Sequence, residues 1–263
     1  MEYVSASRIN TYLMCPLKYR FRYIENISPK FKNSGLAFGS AVHSALNWVH
    51  EYMLAGEKPG LEDALRIFRA DWASQQVETI NYKKGESREG LQKLGEQLIS
   101  IYYAEYPDLK VRATERPFKV PLEDLTTGES FEVPLFGYFD LVLDDDVLVE
   151  IKTAKRDYGV QDLQRNIQLS AYAYAYRRIY GTDPKLKLTA LLKAKTPRIS
   201  DHAVERPASG DRWFVHLAAS VVNSIQSEAF PPSPGWQCGD CEYSQECSSF
   251  YECRNVKPQL IAV

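Results

Sequence analysis

The residues best suited to chemistry lie between Gly137 and Thr153. Asp140, Glu150 and Lys152 sit there on two apolar runs separated by Asp144-Asp145-Asp146. Side chains alternate along a strand, so Glu150 and Lys152, two apart, share a face, while Val149 and Ile151 point into a core. The two carboxylates, Asp140 and Glu150, offer hard oxygen ligands to Mg²⁺ or Mn²⁺. An ammonium beside them can orient a water and stabilise negative charge growing on a phosphate. Taken alone, a Glu-x-Lys pair on a strand is an ordinary surface ion pair. His43, in Gly39-Ser-Ala-Val-His43, is a candidate third ligand that would favour Mn²⁺, imidazole being softer than carboxylate. Gln168 and Tyr172 are four apart on one helix face, with Arg165 three residues before Gln168. An amide, a phenol and a guanidinium in one row suit contact with a nucleic-acid backbone. Glu115 either reinforces the acidic set or faces solvent.

A second constellation is made of cysteines. Cys238-x-x-Cys241-x5-Cys247 lies near the C-terminal end, Cys15 lies far upstream before Pro16, and Cys253 is the fifth. Three clustered thiols with a distant fourth can form a Cys₄ site, which zinc and a [4Fe–4S] cluster both accept. A zinc ribbon has two paired hooks where this chain has one, so the lone distant thiol favours the cluster. Such a site would staple the first helices to the tail, closing a long loop.

The elements that must position these residues can be read from periodicity. Ser5–Tyr23 reads as one or two helices with Ser5 or Ser7 at the start. Gly39–Leu54, Leu61–Gln76 and Glu89–Tyr106 continue the helical part, the last stopped by Pro107. From Val111 the period becomes two, which predicts consecutive antiparallel strands over Val111–Leu122, Phe131–Asp144 and Val147–Thr153. Asp162–Tyr180 is predicted as one helix ending at Gly181. Lys185–Lys193 and Arg198–Glu205 are candidate strands, and Gly210–Ser227 a last amphipathic helix. The organisation is a helical part (1–110), an α/β core (111–205) and a C-terminal helix with a cysteine tail (206–263), in one compact unit.

Composition narrows the class. The chain has 263 residues, 44% hydrophobic and 25% charged, typical of a globular protein. The net charge of −2 gives no bulk support for nucleic-acid binding, although a local basic groove can coexist with acidic ligands. Lys18-Tyr-Arg20-Phe-Arg22-Tyr23 is such a local patch. It reads either as cations and aromatic platforms for single-stranded DNA, with Arg20 a contact, or as a helix with Tyr19 and Tyr23 in the core. No apolar run is long enough for a membrane span and the N-terminus is unlike a signal peptide, so a cytoplasmic protein with no membrane partner is expected.

The set Gly39-x-x-x-His43, Gly137-x-x-Asp140, Glu150-x-Lys152 and Gln168-x-x-x-Tyr172 resembles the PD-(D/E)XK nucleases of the RecB-like branch, with Phe139 where the family name has proline. The resemblance implies a restriction-endonuclease-like α/β fold, a mixed sheet flanked by helices. It implies Mg²⁺- or Mn²⁺-dependent hydrolysis of DNA by Asp140, Glu150 and Lys152, with His43, Asp140 and Glu150 as metal ligands and Gln168 and Tyr172 on the substrate side. The cysteine layout resembles the iron–sulfur members of that branch, the AddB-type recombination subunits and the CRISPR-associated Cas-four nucleases. It implies a [4Fe–4S] cluster on Cys15, Cys238, Cys241 and Cys247, with Cys253 spare, and an integrase or helicase partner. The expected function is an exonuclease on single-stranded DNA or DNA ends, in CRISPR adaptation, repair or phage DNA processing. The alternative is a non-catalytic DNA-binding subunit of a larger complex, since some relatives keep the fold and lose the chemistry.

Overall fold

The computed structural model describes residues 1–124 and 126–253. Its N-terminal part runs α1 (Ala6–Met14), α2 (Pro16–Tyr19), a π-helical turn (Arg20–Ile24), β1 (Lys32–Asn33), α3 (Ser34–Leu54), α4 (Leu61–Gln75), β2 (Ile80–Asn81) and α5 (Arg88–Glu105). The sheet strands β3 (Val111–Asp124), β4 (Glu129–Leu143) and β5 (Val147–Ala154) follow. Then come α6 (Val160–Gln164), α7 (Ile167–Tyr180), β6 (Lys185–Leu192), β7 (Arg198–Val204), α8 (Asp211–Gln226) and α9 (Ser244–Cys253). The side chain of Cys253 lies outside the described residues.

β3 to β7 form one mixed five-stranded sheet in sequence order, antiparallel except for the parallel β5–β6 pair. A parallel pair needs a crossover, and α6 and α7 supply it. Helices cover both faces. Leu148, Leu188 and Phe139 pack with α1, α7 and α8 on one side. Leu141, Val149, Ile151 and Leu191 pack with α3, α4 and α5 on the other. The fold is therefore the restriction-endonuclease-like α/β arrangement that the family resemblance implied, with strands from Val111 onward as the period change predicted. A small satellite core of Leu17, Phe21 and Tyr243 joins the two ends of the chain. Among the described residues, no helix is long and apolar enough to cross a membrane.

Two predicted elements differ. The helix over Asp162–Tyr180 is two helices, because the Asn166 side chain accepts from Leu169 N (3.0 Å) and starts a new one. α3 begins at Ser34 rather than Gly39, since Ala37 and Phe38 are buried and extend its core face.

Candidate metal centre

The sheet register builds the acidic set. β3 pairs Thr114 with Leu141 and Arg116 with Phe139, which sets Glu115 across from Asp140. β4 pairs Leu141 with Val149, which sets Asp140 across from Glu150. Three carboxylates thus stand in one row over three neighbouring strands. Glu115 has φ 44°, a left-handed backbone that a non-glycine residue adopts at a cost of roughly 1–3 kcal/mol. α3 adds His43 from above. Gly39, one turn earlier, lets the helix approach the sheet, because a Cβ there would lie 3.3 Å from Thr153 Oγ1.

His43 Nε2 lies 3.3 Å from Asp140 Oδ2 and 3.5 Å from Glu115 Oε1. One ligand atom from each of His43, Glu115 and Asp140 falls within 4.8 Å of the others, close enough to hold one ion. No other set of His, Cys, Asp or Glu among the described residues does so. Burial would lower the His43 pKa, but Asp140 and Glu115 outweigh it and raise it. Burial would raise Asp140, yet His43 and Lys152 outweigh that and hold it ionised. Burial raises the Glu115 carboxyl against the pull of His43.

Glu150 is only 1% exposed. Burial pushes its pKa up, and nearby Asp140 adds to the shift against Lys152. Lys152 Nζ lies 2.5 Å from Glu150 Oε1, and the Tyr172 hydroxyl faces the same carboxylate. Lys152 offsets only one charge of a row of three carboxylates, so excess negative charge remains that a divalent ion would offset. The donors therefore fit a divalent ion in chemistry as well as in spacing. Glu150 keeps Lys152 protonated, raising its pKa, while half of the lysine side chain stays exposed.

The other expected site residues divide. Gln168 lines the same cleft, of about 310 Å³, as His43, Glu115, Asp140, Glu150 and Lys152. Tyr172 does not face substrate. It is fully buried, donates to Asp140 Oδ1 (3.0 Å) and accepts from Asp140 N (3.0 Å), so it fixes the carboxylate from below. Arg165 does not share a face with Gln168, because the helix breaks there. It lines a neighbouring hollow with Lys155, Arg156 and Tyr158. Arg20 lies outside the cleft and pairs with Glu25 at 2.6 Å. Tyr19 and Tyr23 pack against each other, with Tyr19 in the core. The polar loop around Lys83–Arg88 is anchored, since Glu86 accepts from Ser34 Oγ (2.5 Å) and pairs with Lys155 (2.9 Å).

The cysteines behave differently. Cys15, Cys238, Cys241 and Cys247 are free thiols that line one cavity of about 300 Å³ with Leu17, Phe21 and Tyr243. They are not gathered at the distance of a single-ion site, so a preformed thiolate cluster is not what the structure contains. Burial raises the thiol pKa of Cys241 and Cys247, and Cys15 adds to the shift at both.

The family model of the PD-(D/E)XK nuclease superfamily matches residues 3–248. The chain belongs to the PD-(D/E)XK nuclease superfamily. It is by family a nuclease, a hydrolase of phosphodiester bonds, whose members use divalent metal ions. The fold is similar to that of a "Putative exonuclease" from Eubacterium rectale, with TM-score 0.57 and 16% identity over 100% of this chain and 91% of that one. A solved protein called SSO0001 is 13% identical over 94% of this chain and 86% of that one, with TM-score 0.47. No curated protein sequence matches the chain.

Sequence reasoning missed two parts of the cleft. Tyr3 and the Ser5–Ser7 turn line it, carried there by Val4, which pairs with β4 through Val4 N to Pro134 O (2.9 Å) and Phe136 N to Val4 O (2.8 Å). A one-residue strand has no period to read. Phe136 and Tyr138 also line it, and their alternation with Asp140 was a readable signal.

Proposed function

We propose that the chain is a Mg²⁺- or Mn²⁺-dependent deoxyribonuclease acting on single-stranded DNA or DNA ends as an exonuclease. The observation that carries this reading is the row of three carboxylates, Glu115, Asp140 and the buried Glu150, in one cleft with His43 and Lys152. His43, Glu115, Asp140 and Glu150 would hold the ion. When bound, a divalent ion supplies polarisation of a phosphoryl oxygen and a bound water of lowered pKa.

The chain's own residues do the rest. Lys152 stays protonated beside Glu150 and lines the cleft, where its ammonium can orient the attacking water and stabilise charge on the phosphate. Tyr172 locks the Asp140 carboxylate so that it keeps one orientation during the reaction. Gln168 contacts the substrate from α7. Hydrolysis adds the water oxygen to phosphorus and breaks the bond to the leaving oxygen, which departs with a proton. The name of the Eubacterium rectale protein supports action at ends.

The proposal includes a [4Fe–4S] cluster on Cys15, Cys238, Cys241 and Cys247. Its support is the shared cavity and an all-thiol donor set; a four-iron cluster holds its ligands further apart than one ion does. Its role would be to staple the chain ends. A helicase or integrase partner rests on the resemblance alone.

End-labelled single-stranded DNA incubated with anaerobically purified protein in Mn²⁺, Mg²⁺ or EDTA tests the enzyme. Metal-dependent shortening from an end is expected. Tight binding with no cleavage in any metal would favour the DNA-binding subunit instead.

A further inference from the structure

We propose that Tyr138, backed by Phe136 and Tyr3, is a base-stacking platform that holds the nucleotide next to the scissile phosphate. The inference rests on the nuclease reading above and names the part of a single strand that the cleft recognises.

Phe136, Tyr138 and Asp140 all belong to β4, and all three line the cleft that contains His43, Glu115 and Lys152. Tyr138 stands two strand residues from Asp140, roughly 7 Å along the strand. That is within reach of a base whose own phosphate lies at the acidic set. The Tyr138 ring is 45% exposed, and its hydroxyl has no hydrogen-bond partner among the described residues. Neither core packing nor a polar contact accounts for an aromatic ring at this position.

The platform is built in advance. Tyr138 meets Phe136 edge-on at 5.3 Å, and Phe136 meets Tyr3 at 5.0 Å. The Arg8 guanidinium lies 4.2 Å over the Tyr3 ring and donates to Tyr3 O at 3.0 Å. Val4, paired to β4 on the next residue, keeps Tyr3 in register. Gly137 lies between the two cleft rings because a Cβ there would come 2.6 Å from the Phe118 ring. A fixed aromatic row loses little freedom on binding.

The occupant follows from size and chemistry. A cleft of about 310 Å³ is at the scale of one small molecule, not of a duplex. Stacking needs the face of a base, which an unpaired strand offers at every position and a duplex only at its end, and it tolerates every base. The platform therefore selects single strands without selecting sequence.

The test uses the full chain and short oligonucleotides with 2-aminopurine at successive positions, bound in EDTA so that no cleavage occurs. Stacking on Tyr138 is expected to quench one position, and Tyr138→Leu to abolish that quench, with Tyr138→Phe restoring it. In Mn²⁺, Tyr138→Leu is expected to raise KM for single-stranded DNA at least about fivefold, the low end of what one lost stacking contact costs. The change should fall on KM rather than kcat, at unchanged thermal stability. A wild-type protein that cleaves while Tyr138→Leu keeps both its quench and its KM would overturn this inference alone. A wild-type protein that cleaves no DNA would overturn the nuclease reading first, and the platform with it.

Discussion

The acidic cleft and the cysteine cavity are two candidate ligand sites of similar size, and they are built in opposite ways. In the cleft, β3, β4 and β5 place Glu115, Asp140 and Glu150 in one row, and hydrogen bonds from Tyr172 and Ile151 hold Asp140 in place. Like charges are kept close by fold energy from two large cores. In the cavity, Cys15 sits between α1 and α2, and the other thiols sit on a short turn and the start of α9, over a core of Leu17, Phe21 and Tyr243. Polar ties across that join include the Lys18–Glu242 pair at 2.8 Å, the Tyr243 hydroxyl donating to Ile27 O at 3.2 Å, Gln237 Nε2 donating to Met14 O at 3.3 Å and the Lys30–Glu246 pair at 3.5 Å. A sheet can hold an ion site ready without the ion; two chain ends joined by a small core depend far more on what binds between them.

The largest effect that sharpens this contrast is expected from Lys152→Ala. Losing the positioned ammonium should lower kcat by about 10²–10³, as for loss of one preorganised stabilising group. Circular dichroism should keep its helical and sheet signal, because Glu150, whose pKa burial already raises to about 7, can take up a proton when the ammonium is lost. A melting temperature that collapses with activity would mean the cleft is no more preformed than the cavity.

Next comes Cys241→Ser. It should open the join, so that limited proteolysis cuts near both chain ends while the sheet core persists, and any visible iron–sulfur absorbance should disappear. Single-stranded DNA cleavage should survive at reduced rate. If instead Cys241→Ser protein resists protease as the wild type does, the cavity is not a staple.

Tyr172→Phe should act on the cleft alone. It removes the hydroxyl that donates to the Asp140 carboxylate, a charged hydrogen bond worth ~1.5 kcal/mol, which corresponds to about tenfold in kcat/KM. Steady-state kinetics at saturating Mn²⁺ would show this. An unchanged rate would remove Tyr172 from the account of Asp140.

The smallest effect belongs to neither site and appears only in acid. His50, on α3 two turns beyond His43, is fully buried against the Tyr102 hydroxyl at 2.9 Å, and burial pushes its pKa down to about 3. The unfolded chain, with an ordinary His value near 6.5, binds more protons between those two values, so stability falls as pH drops below the unfolded value. At one unit below it the loss is about 1 kcal/mol. His50→Gln should flatten the melting temperature between neutral pH and mild acid; a slope equal to that of the wild type would contradict it.

Much of the cleft was legible because strands have a short period. Two residues of separation put Glu150 and Lys152 on one face, and the acidic turn at Asp144–Asp146 fixed the pairing of their strands. The change to period two at Val111 located the first three strands, whereas the mixed-sheet fold class came from the family resemblance. What stayed hidden was set by tertiary contact. The same helix period that suggested a substrate-facing Tyr172 also fits a buried one, and only the Asp140 partner decides. The break at Arg165 depends on one Asn166 side chain competing with the backbone. Glu115 was ambiguous because its left-handed backbone cannot be read from a glutamate. The spacing of the thiols was least legible of all, since it depends on how two chain ends meet.

The central claim is that the buried acidic row is an ion site that does chemistry. Its most direct test is Mn²⁺ titration by calorimetry of the wild type and of Asp140→Asn, with cleavage of single-stranded DNA read in the same samples. The account predicts that wild-type protein binds Mn²⁺ in the cleft and cleaves as the site fills, and that Asp140→Asn loses both together while staying folded. Cleavage that persists in Asp140→Asn, or Mn²⁺ binding that the substitution leaves unchanged, would contradict it.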